Sequence, residues 1–185
     1  MDSRYRRSLR AIVILAVGLA FATIAMPQRR AAAAESQGFS LSSPAFANDA
    51  KIPLEFTCSG ANLSPPLRWR DAPARTRSYV LIVRDPDARS GNFIHWVMFD
   101  IPAATGELKP GIGRSDPAAQ GTNGFGRIGY DGPCPPPGRA HHYVFELMAL
   151  DSMLALRRGA SAAQVESAAA AHRLATTELT AEFAR

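Results

Sequence analysis

The sequence predicts a mainly β protein built from two packed β-sheets, with one or two helices near the C-terminus. From residue 78 onward, short apolar and β-branched runs recur, and turns that contain Pro, Gly and Asp separate them. One strong helix pattern lies between the last two runs. Many short strands with few helices are typical of a β-sandwich, in which two sheets cover each other's apolar faces.

Four strands are predicted from these runs. Residues 78–84 are aliphatic and β-branched and end at an Asp-Pro-Asp turn, and residues 96–101 form a second run that Pro102 stops. Residues 142–150 form a third run. Residues 176–183 alternate between polar and apolar side chains, and this period of two indicates a strand with one buried face.

The helix is predicted to begin at Ser161, because Ser161 and Gln164 have the spacing of a capping box. The alanine-rich stretch that follows, up to Ala171, favours a helix by propensity. Residues 105–126 are rich in Gly and Pro and poor in apolar side chains, so we expect them to form one long, mobile loop.

Residues 1–34 are predicted to be a secretory signal peptide. Four arginines lie between residues 4 and 10, an unbroken apolar run of 16 residues follows at residues 11–26, and residues 32–34 offer alanines to signal peptidase. The run is shorter than the ~20 residues that a membrane-spanning helix needs, so a retained anchor is the less favoured alternative. The pair Arg6-Arg7 leaves twin-arginine export open. We expect a periplasmic or secreted protein.

Removal of this leader changes the charge argument. The whole chain has a formal net charge of +5, but residues 1–34 carry six arginines and one aspartate, so residues 35–185 sum to zero. No basic stripe with interleaved aromatic residues is present. The sequence therefore predicts no nucleic-acid partner, and residues 35–185 are expected to form one domain with its own core.

Cys58 and Cys134 are the two cysteines of the chain. In an oxidising compartment an isolated pair favours a disulfide over a metal site or a nucleophile. Such a bridge would stabilise the fold by about 3–5 kcal/mol in the chain-entropy description. Two buried free thiols are the alternative that the sequence leaves open.

Two segments share one pattern, a rigid turn with proline followed by a histidine that opens an apolar strand. The Asp-Pro-Asp turn of residues 85–87 precedes His95, and the Gly-Pro-Cys-Pro-Pro-Pro-Gly turn of residues 132–138 precedes His141. Proline restricts the residues beside it, so the carboxylates of the first turn are held in place. Taken singly, each aspartate is explained by an Asx-type turn that caps backbone amides. Together, the two segments favour one polar pocket.

These segments resemble the phosphatidylethanolamine-binding protein family, and most of all its bacterial, Raf-kinase-inhibitor-like branch. The stretches Ser-Pro-Pro-Leu-Arg-Trp at residues 64–69 and Tyr-Val-Phe-Glu-Leu-Met-Ala-Leu-Asp at residues 143–151 add to the resemblance, which extends from about Phe39 to the C-terminus. It implies a Greek-key sandwich with a pocket for phosphate-like anions and phosphoethanolamine head groups. The residues that match this pocket or belong to its acidic turn are Asp85, Asp87, His95, Gly132, Pro133, Pro135, His141 and Tyr143.

Two positions depart from the family pattern. Arg89 follows the Asp-Pro-Asp-Ala turn where the family often has proline, which adds a cation at the edge of the pocket. His142 stands where the family usually has arginine, so we expect a weaker ion pair with the acidic turn. Strand alternation places His141 and Tyr143 on one face and His142 on the other.

Three classes of function compete. We favour a binding protein for a small anionic or zwitterionic ligand, such as phosphate or phosphoethanolamine. The alternative is an inhibitor of a peptidase or of another protein partner, since members of the family restrain kinases or serine carboxypeptidases. An enzyme, and in particular a metal-dependent hydrolase, is least favoured. The sequence has neither a His-Glu-x-x-His motif nor a nucleophile-elbow serine, and it predicts no cofactor and no bound metal.

Overall fold

A computed structural model describes residues 38–113, 116 and 118–185 of the chain, so the predicted signal peptide lies outside the described residues. A one-turn 3-10 helix, Leu54–Phe56, follows the second strand. The remaining elements in chain order are β1 (Ser40–Ser42), β2 (Ala50–Lys51), β3 (Leu67–Arg70), β4 (Ser78–Asp85), β5 (Phe93–Pro102), β6 (Glu107–Leu108), β7 (Ala119–Gln120), β8 (His141–Leu150), α1 (Ala162–Ala169) and β9 (Arg173–Phe183).

The described strands form two sheets. One has six strands in the order β2-β9-β8-β4-β5-β7, and the other has three in the order β1-β3-β6. After the β4–β5 hairpin the chain forms β6 in the small sheet and β7 at the edge of the large sheet, and then returns as β8 on the far side of β4. The predicted mainly β, two-sheet fold is confirmed, and β4, β5, β8 and β9 each contain the run from which they were predicted.

The main core lies between the two sheets. Leu67 and Trp69 of β3 pack in one buried cluster with Leu81 and Val83 of β4 and with Phe145 of β8. Side chains alternate along a strand, so the intervening residues of β4 point to the other face of the large sheet. A second buried cluster covers that face beneath α1, and it includes Val80, Ile82, Val97, Phe99 and Val165. The central strands β4 and β5 are therefore mostly buried on both faces.

Helix α1 confirms the predicted capping box. Ser161 accepts the backbone N–H of Gln164, and the Gln164 side chain accepts the backbone N–H of Ser161. Reciprocal capping satisfies two amide donors that would otherwise lack partners at the helix start. Within the part of the chain that the structure describes, no helix has the length and apolarity to cross a bilayer.

The prediction of one long loop over residues 105–126 is wrong at two places. β6 pairs with β3, and β7 pairs with β5, so this segment adds an edge strand to each sheet. Gln120 of β7 is fully buried, and its side chain accepts the Trp96 indole N–H at 3.1 Å and donates to the Gly113 carbonyl at 2.6 Å. Strands of two residues show no periodicity, which is why the sequence does not reveal them.

The cysteines form the predicted disulfide, with the Sγ atoms of Cys58 and Cys134 2.09 Å apart. The backbone N–H of Cys58 also donates to the Pro133 carbonyl at 3.1 Å. Both links tie the proline-rich turn to the segment after the 3-10 helix. Closure of a loop with a sequence separation of 76 contributes about 4 kcal/mol in the chain-entropy description.

Candidate functional site

The register of the large sheet brings the predicted site residues to one end. β4 ends at Asp85, which pairs with Phe93 at the start of β5. β8 is also antiparallel to β4, so its first residue, His141, lies at the same end. β9 runs back to this end as well, and Phe183 pairs with His141. Residues far apart in sequence therefore meet at one edge, because β5 and β8 begin there, and β4 and β9 end there.

His95 occupies a β-bulge at this end of the sheet. In the register of β4 with β5, Val83 pairs with Trp96 and Arg84 pairs with Ile94, which leaves His95 as the additional residue. A bulge turns a side chain away from the direction that strict alternation would give it. His95 is buried, and its ring meets Tyr143 edge to face at 5.2 Å.

A cavity of ≈ 560 Å³ opens at this end of the sheet. Five of the eight predicted ligand residues line it: Asp85, Asp87, His95, Pro135 and His141. The remaining lining residues, which the sequence did not indicate as ligand-binding, are Ala88, Arg89, Ser90, Phe93, Phe125, Cys134, Pro136, Pro137 and Arg139. The two turn-plus-histidine segments thus form two walls of one cavity.

Asp85 orients His141. The Nδ1 atom of His141 lies 2.7 Å from Oδ2 of Asp85, and the exposed fractions of the two side chains are 11% and 5%. Because a carboxylate accepts, Nδ1 is the protonated ring nitrogen of this bond. The other oxygen of Asp85 accepts the backbone N–H of Asp87 at 2.9 Å, as an Asx-type turn requires. The carboxylate therefore both caps its turn and fixes the tautomer of the histidine.

Asp87 makes a second aspartate–histidine pair at the outer edge. Its Oδ2 atom accepts the backbone N–H of His142 at 2.9 Å and the Nδ1–H of His142 at 2.7 Å. Oδ1 faces Nη2 of Arg139 at 3.4 Å. The hydrogen bonds from His142 lower the pKa of Asp87 to about 2, and the bond to Asp87 raises the pKa of His142. The predicted opposite placement of His141 and His142 is confirmed, since His141 is buried and His142 is exposed.

His95 is oriented by backbone instead of by a carboxylate. Its Nδ1 atom lies 2.7 Å from the carbonyl oxygen of Asp131, which can only accept, so Nδ1 carries the proton. Burial lowers the pKa of His95 despite this hydrogen bond, which favours the neutral ring. In the described part of the chain, hydrogen bonds occupy Nδ1 of both His95 and His141, so Nε2 is the nitrogen that each ring has left for a ligand.

A polar network behind His95 holds Asp131. Arg127 donates to both carboxylate oxygens of Asp131, at 2.8 and 2.6 Å, and Asn123 adds a bond at 2.7 Å. Burial works to raise the pKa of Asp131, but the bonds from Arg127 and Asn123 outweigh it and the pKa is lowered. The backbone N–H of Asp131 donates to the His95 carbonyl at 3.1 Å. This network, which our sequence analysis missed, fixes the carbonyl that orients the His95 ring.

Three predicted ligand residues lie outside the cavity lining. Tyr143 is fully buried below His95, and its hydroxyl has no geometric hydrogen bond within the described chain. Burial raises the pKa of Tyr143, and the nearby Asp85 carboxylate adds to the effect. Gly132 donates its N–H to the Asn62 side chain at 2.8 Å and lies so close to Phe56 that a Cβ would come within 2.4 Å of its carbonyl oxygen. Pro133 accepts from the backbone of Cys58.

An aromatic wall was also missed by the sequence analysis. The rings of Phe93 and Phe125 meet edge to face at 4.8 Å, and Phe125 lies 5.7 Å from the His95 ring. Arg127 stacks over the Phe125 ring at 5.3 Å. The sequence signal for Phe125 was weak, since it lies in the segment that we predicted to be a mobile loop. Across residues 38–113, 116 and 118–185, no cluster of three His, Cys, Asp or Glu side chains has the geometry of a metal site.

Comparisons with known proteins agree on one family. A family profile described as Phosphatidylethanolamine-binding protein matches residues 42–184. A protein of Aquifex aeolicus named UPF0098 protein is 46% identical over 129 residues, covering 67% of this chain and 75% of its own. A candidate lipoprotein of Mycobacterium tuberculosis, LppC, is 41% identical over 140 residues, covering 73% of this chain and 67% of its own.

Two solved structures have the same fold. A candidate phosphatidylethanolamine-binding protein homologue of Chlamydia trachomatis superposes with a TM-score of 0.76 and 37% identity, covering 80% of this chain and 98% of its own. Escherichia coli YbcL, described as a new member of the mammalian family, superposes with a TM-score of 0.74 and 32% identity over the same shares. The family profile alone spans most of the chain. This chain therefore belongs to the phosphatidylethanolamine-binding protein family.

Proposed function

We propose that this protein is an exported binding protein that holds phosphate, or the phosphate group of a small head-group ligand, in the cavity of ≈ 560 Å³. One observation carries the proposal. His95 and His141 line the same cavity, and the Nδ1 atom of each is held at 2.7 Å by an oxygen acceptor. Two imidazoles fixed in this way have one remaining nitrogen each, which suits a ligand that combines acceptor oxygens with a titratable proton.

The two histidines have different chemistry toward such an anion. His95 is favoured in its neutral form, so its Nε2 accepts a hydrogen bond from a protonated phosphate oxygen. The Asp85 carboxylate holds Nδ1–H of His141 and so aims Nε2 of that ring into the cavity, where a protonated ring would donate Nε2–H to a phosphate oxygen. Arg89 and Arg139 line the cavity as well and supply positive charge. Hydrogen bonds of this kind in a wet site support a Kd of roughly 10 µM to 10 mM.

A binding role agrees with the family, whose members are generally non-enzymatic binding proteins. Export is supported by the predicted leader, by the disulfide, which persists in oxidising compartments, and by the name of the relative LppC, a candidate lipoprotein. The phosphate-bearing ligand and the extracytoplasmic location are parts of this one proposal.

A titration with inorganic phosphate, followed by amide chemical shifts of the domain without its leader, tests the proposal. We expect saturable changes in the amide chemical shifts of Ala88, His95 and His141. Chloride at equal ionic strength should not produce these changes. His141→Ala should weaken binding by about tenfold or more, since it removes one of the two oriented rings.

His172→Ala is the matched control. His172 also bonds an aspartate through Nδ1, with 3.0 Å to Oδ1 of Asp151, but it is not among the cavity residues. Binding by this variant should equal that of the wild type. Equal phosphate shifts in wild type and His141→Ala would place the anion elsewhere and refute the proposed site.

A further inference from the structure

Building on the proposed anion site, we propose that the cavity selects phosphate monoesters with an apolar substituent over zwitterionic head groups that carry an ammonium group. The phosphate is held at the two histidines, and the substituent lies against the aromatic and proline wall. Three features of the cavity support this specificity: carboxylates that already accept from the protein, an arginine without an ion pair among the described residues, and an apolar wall.

Both cavity carboxylates already have protein donors at every oxygen. The two oxygens of Asp85 accept from the Asp87 backbone at 2.9 Å and from His141 at 2.7 Å. One oxygen of Asp87 accepts twice from His142, at 2.9 and 2.7 Å, and the other faces Arg139 at 3.4 Å. A ligand ammonium would have to share oxygens that protein donors already use, so it would gain less from these carboxylates than from unpaired ones while it still loses hydration.

Two arginines add positive charge at the edge of the cavity. Arg89 lines the cavity and makes no ion pair with any residue that the structure describes. Arg139 lines it too, and its Nη2 atom pairs with Oδ1 of Asp87 at 3.4 Å. Like charges repel, so an ammonium group close to Arg89 raises the free energy of the complex, whereas a neutral substituent does not.

Part of the cavity wall is apolar. Phe93, Phe125 and residues 135–137, which are three prolines, line it. The exposed fraction of Phe125 is 42%, so a ligand has apolar surface to cover there. Arg127 already stacks over the Phe125 ring at 5.3 Å, so a ligand cation would compete with it for that ring. Each methylene buried against the wall strengthens binding by about fourfold.

Propyl phosphate and phosphoethanolamine form a matched pair of probes, because a terminal methyl group in one replaces the ammonium group in the other. Isothermal titration calorimetry of the leader-free domain with both, and with inorganic phosphate, tests the proposal. We expect propyl phosphate to bind at least about fivefold more tightly than phosphoethanolamine. Phosphoethanolamine should bind no more tightly than inorganic phosphate. Equal affinities, or tighter binding of phosphoethanolamine, would overturn the proposed specificity.

Two variants assign the effect to residues. Phe125→Ala should weaken the binding of propyl phosphate by about threefold or more beyond any loss that it causes for inorganic phosphate. Arg89→Gln should reduce the preference for propyl phosphate by about twofold or more, since it removes the unpaired cation. Arg75→Gln is its control, because Arg75 precedes β4 at the end of the sheet away from Asp85. A preference unchanged in both Phe125→Ala and Arg89→Gln would overturn the assignment.

The titration also distinguishes failure of the proposed specificity from failure of the proposed anion site on which it rests. If inorganic phosphate and both esters fail to bind the wild type, the proposed anion site itself is refuted, and the specificity with it. If inorganic phosphate binds through His141 but phosphoethanolamine is preferred, the anion site stands and the specificity alone is refuted.

Discussion

Two aspartate–histidine pairs, Asp85–His141 and Asp87–His142, come from the same turn and the same strand, and both have an Oδ2–Nδ1 distance of 2.7 Å. Their burial differs. The exposed fractions are 5% and 11% for the side chains of Asp85 and His141, but 23% and 49% for those of Asp87 and His142. Strand alternation causes this difference, because neighbours along β8 point to opposite faces. Equal distances therefore do not imply equal energies.

Access to water determines how much each pair contributes to the stability of the fold. If the buried pair is broken, its polar groups have no solvent to replace the lost partner, so the bond is needed for stability and holds His141 in one orientation. The groups of the outer pair can bond water instead, so that pair contributes little. The buried pair is suited to position a ligand, and the outer pair is suited to hold the edge of the turn in place.

The largest stability effect should come from Asp85→Asn. The amide keeps the shape of the carboxylate but has only one acceptor oxygen for the two donors that Asp85 now accepts, the Asp87 amide and the His141 ring. We expect the free energy of unfolding to fall by about 2 kcal/mol, measured by urea denaturation. An unchanged midpoint and slope would show that the buried pair contributes no more than a surface contact.

Asp87→Asn is the matched change in the outer pair. It also leaves one acceptor oxygen where two were in use, but the groups concerned are partly exposed to water. We expect a loss of less than about 1 kcal/mol in the same urea experiment. A loss equal to that of Asp85→Asn would contradict the assignment of the difference to burial.

The pH dependence of the outer pair has a defined sign. The raised pKa of His142 stabilises the fold below its ordinary value of 6.5, and this contribution is lost as the pH rises through the folded-state pKa. The pKa of Asp87, lowered from 3.8 to about 2, stabilises the fold above 3.8, and this contribution is lost as the pH falls toward 2. Glu182 and Asp49 also favour the charged form of His142, and Arg139 favours that of Asp87.

The stability difference between wild type and His142→Ala should therefore be larger at about pH 5 than at about pH 9, by less than about 1 kcal/mol because the pair is exposed. Thermal unfolding of both proteins at the two pH values measures it. A difference that grows toward the higher pH would refute the assigned role of the His142–Asp87 bond.

The smallest effect should come from His142→Arg, which introduces the residue expected from the family pattern. An arginine at this exposed position has room to reach Asp87 and Glu182, both of which His142 contacts. We expect the free energy of unfolding to change by no more than about 0.5 kcal/mol. A loss of more than about 2 kcal/mol would show that the site is too small for a guanidinium group.

Long strands were predictable because their patterns repeat. The runs that became β4 and β8 are long enough for composition and alternation to indicate strands, and the Ser161 capping box marked the start of α1. β6 and β7 have two residues each, and their pairing depends on partners distant in sequence. No local pattern records such a partner, so the segment around them was taken for a loop.

The site was predictable only in part for a similar reason. The turn-plus-histidine pattern identified Asp85 of β4, His95 of β5 and His141 of β8, which line the cavity, but it did not identify Phe93 of β5. The bulge at His95, the contact of Phe93 with Phe125 and the Arg127–Asp131 network depend on register and on side chains from other segments. Tyr143 has the strand position of a pocket residue, but the His95 ring lies against it. Alternation predicts the face of a side chain, and packing decides whether that face is covered.

The pH dependence of phosphate affinity tests the central claim most directly, that the buried pair and not the outer pair binds the anion. Calorimetric titrations at about pH 6 and about pH 8 should show tighter binding at the lower pH, because the neutral His95 ring accepts a hydrogen bond from a protonated phosphate oxygen, and phosphate carries more protons at the lower pH. His142→Ala should keep this pH dependence, and His141→Ala should lose most of the binding at both values. Loss of the pH dependence in His142→Ala, with retention in His141→Ala, would contradict the account.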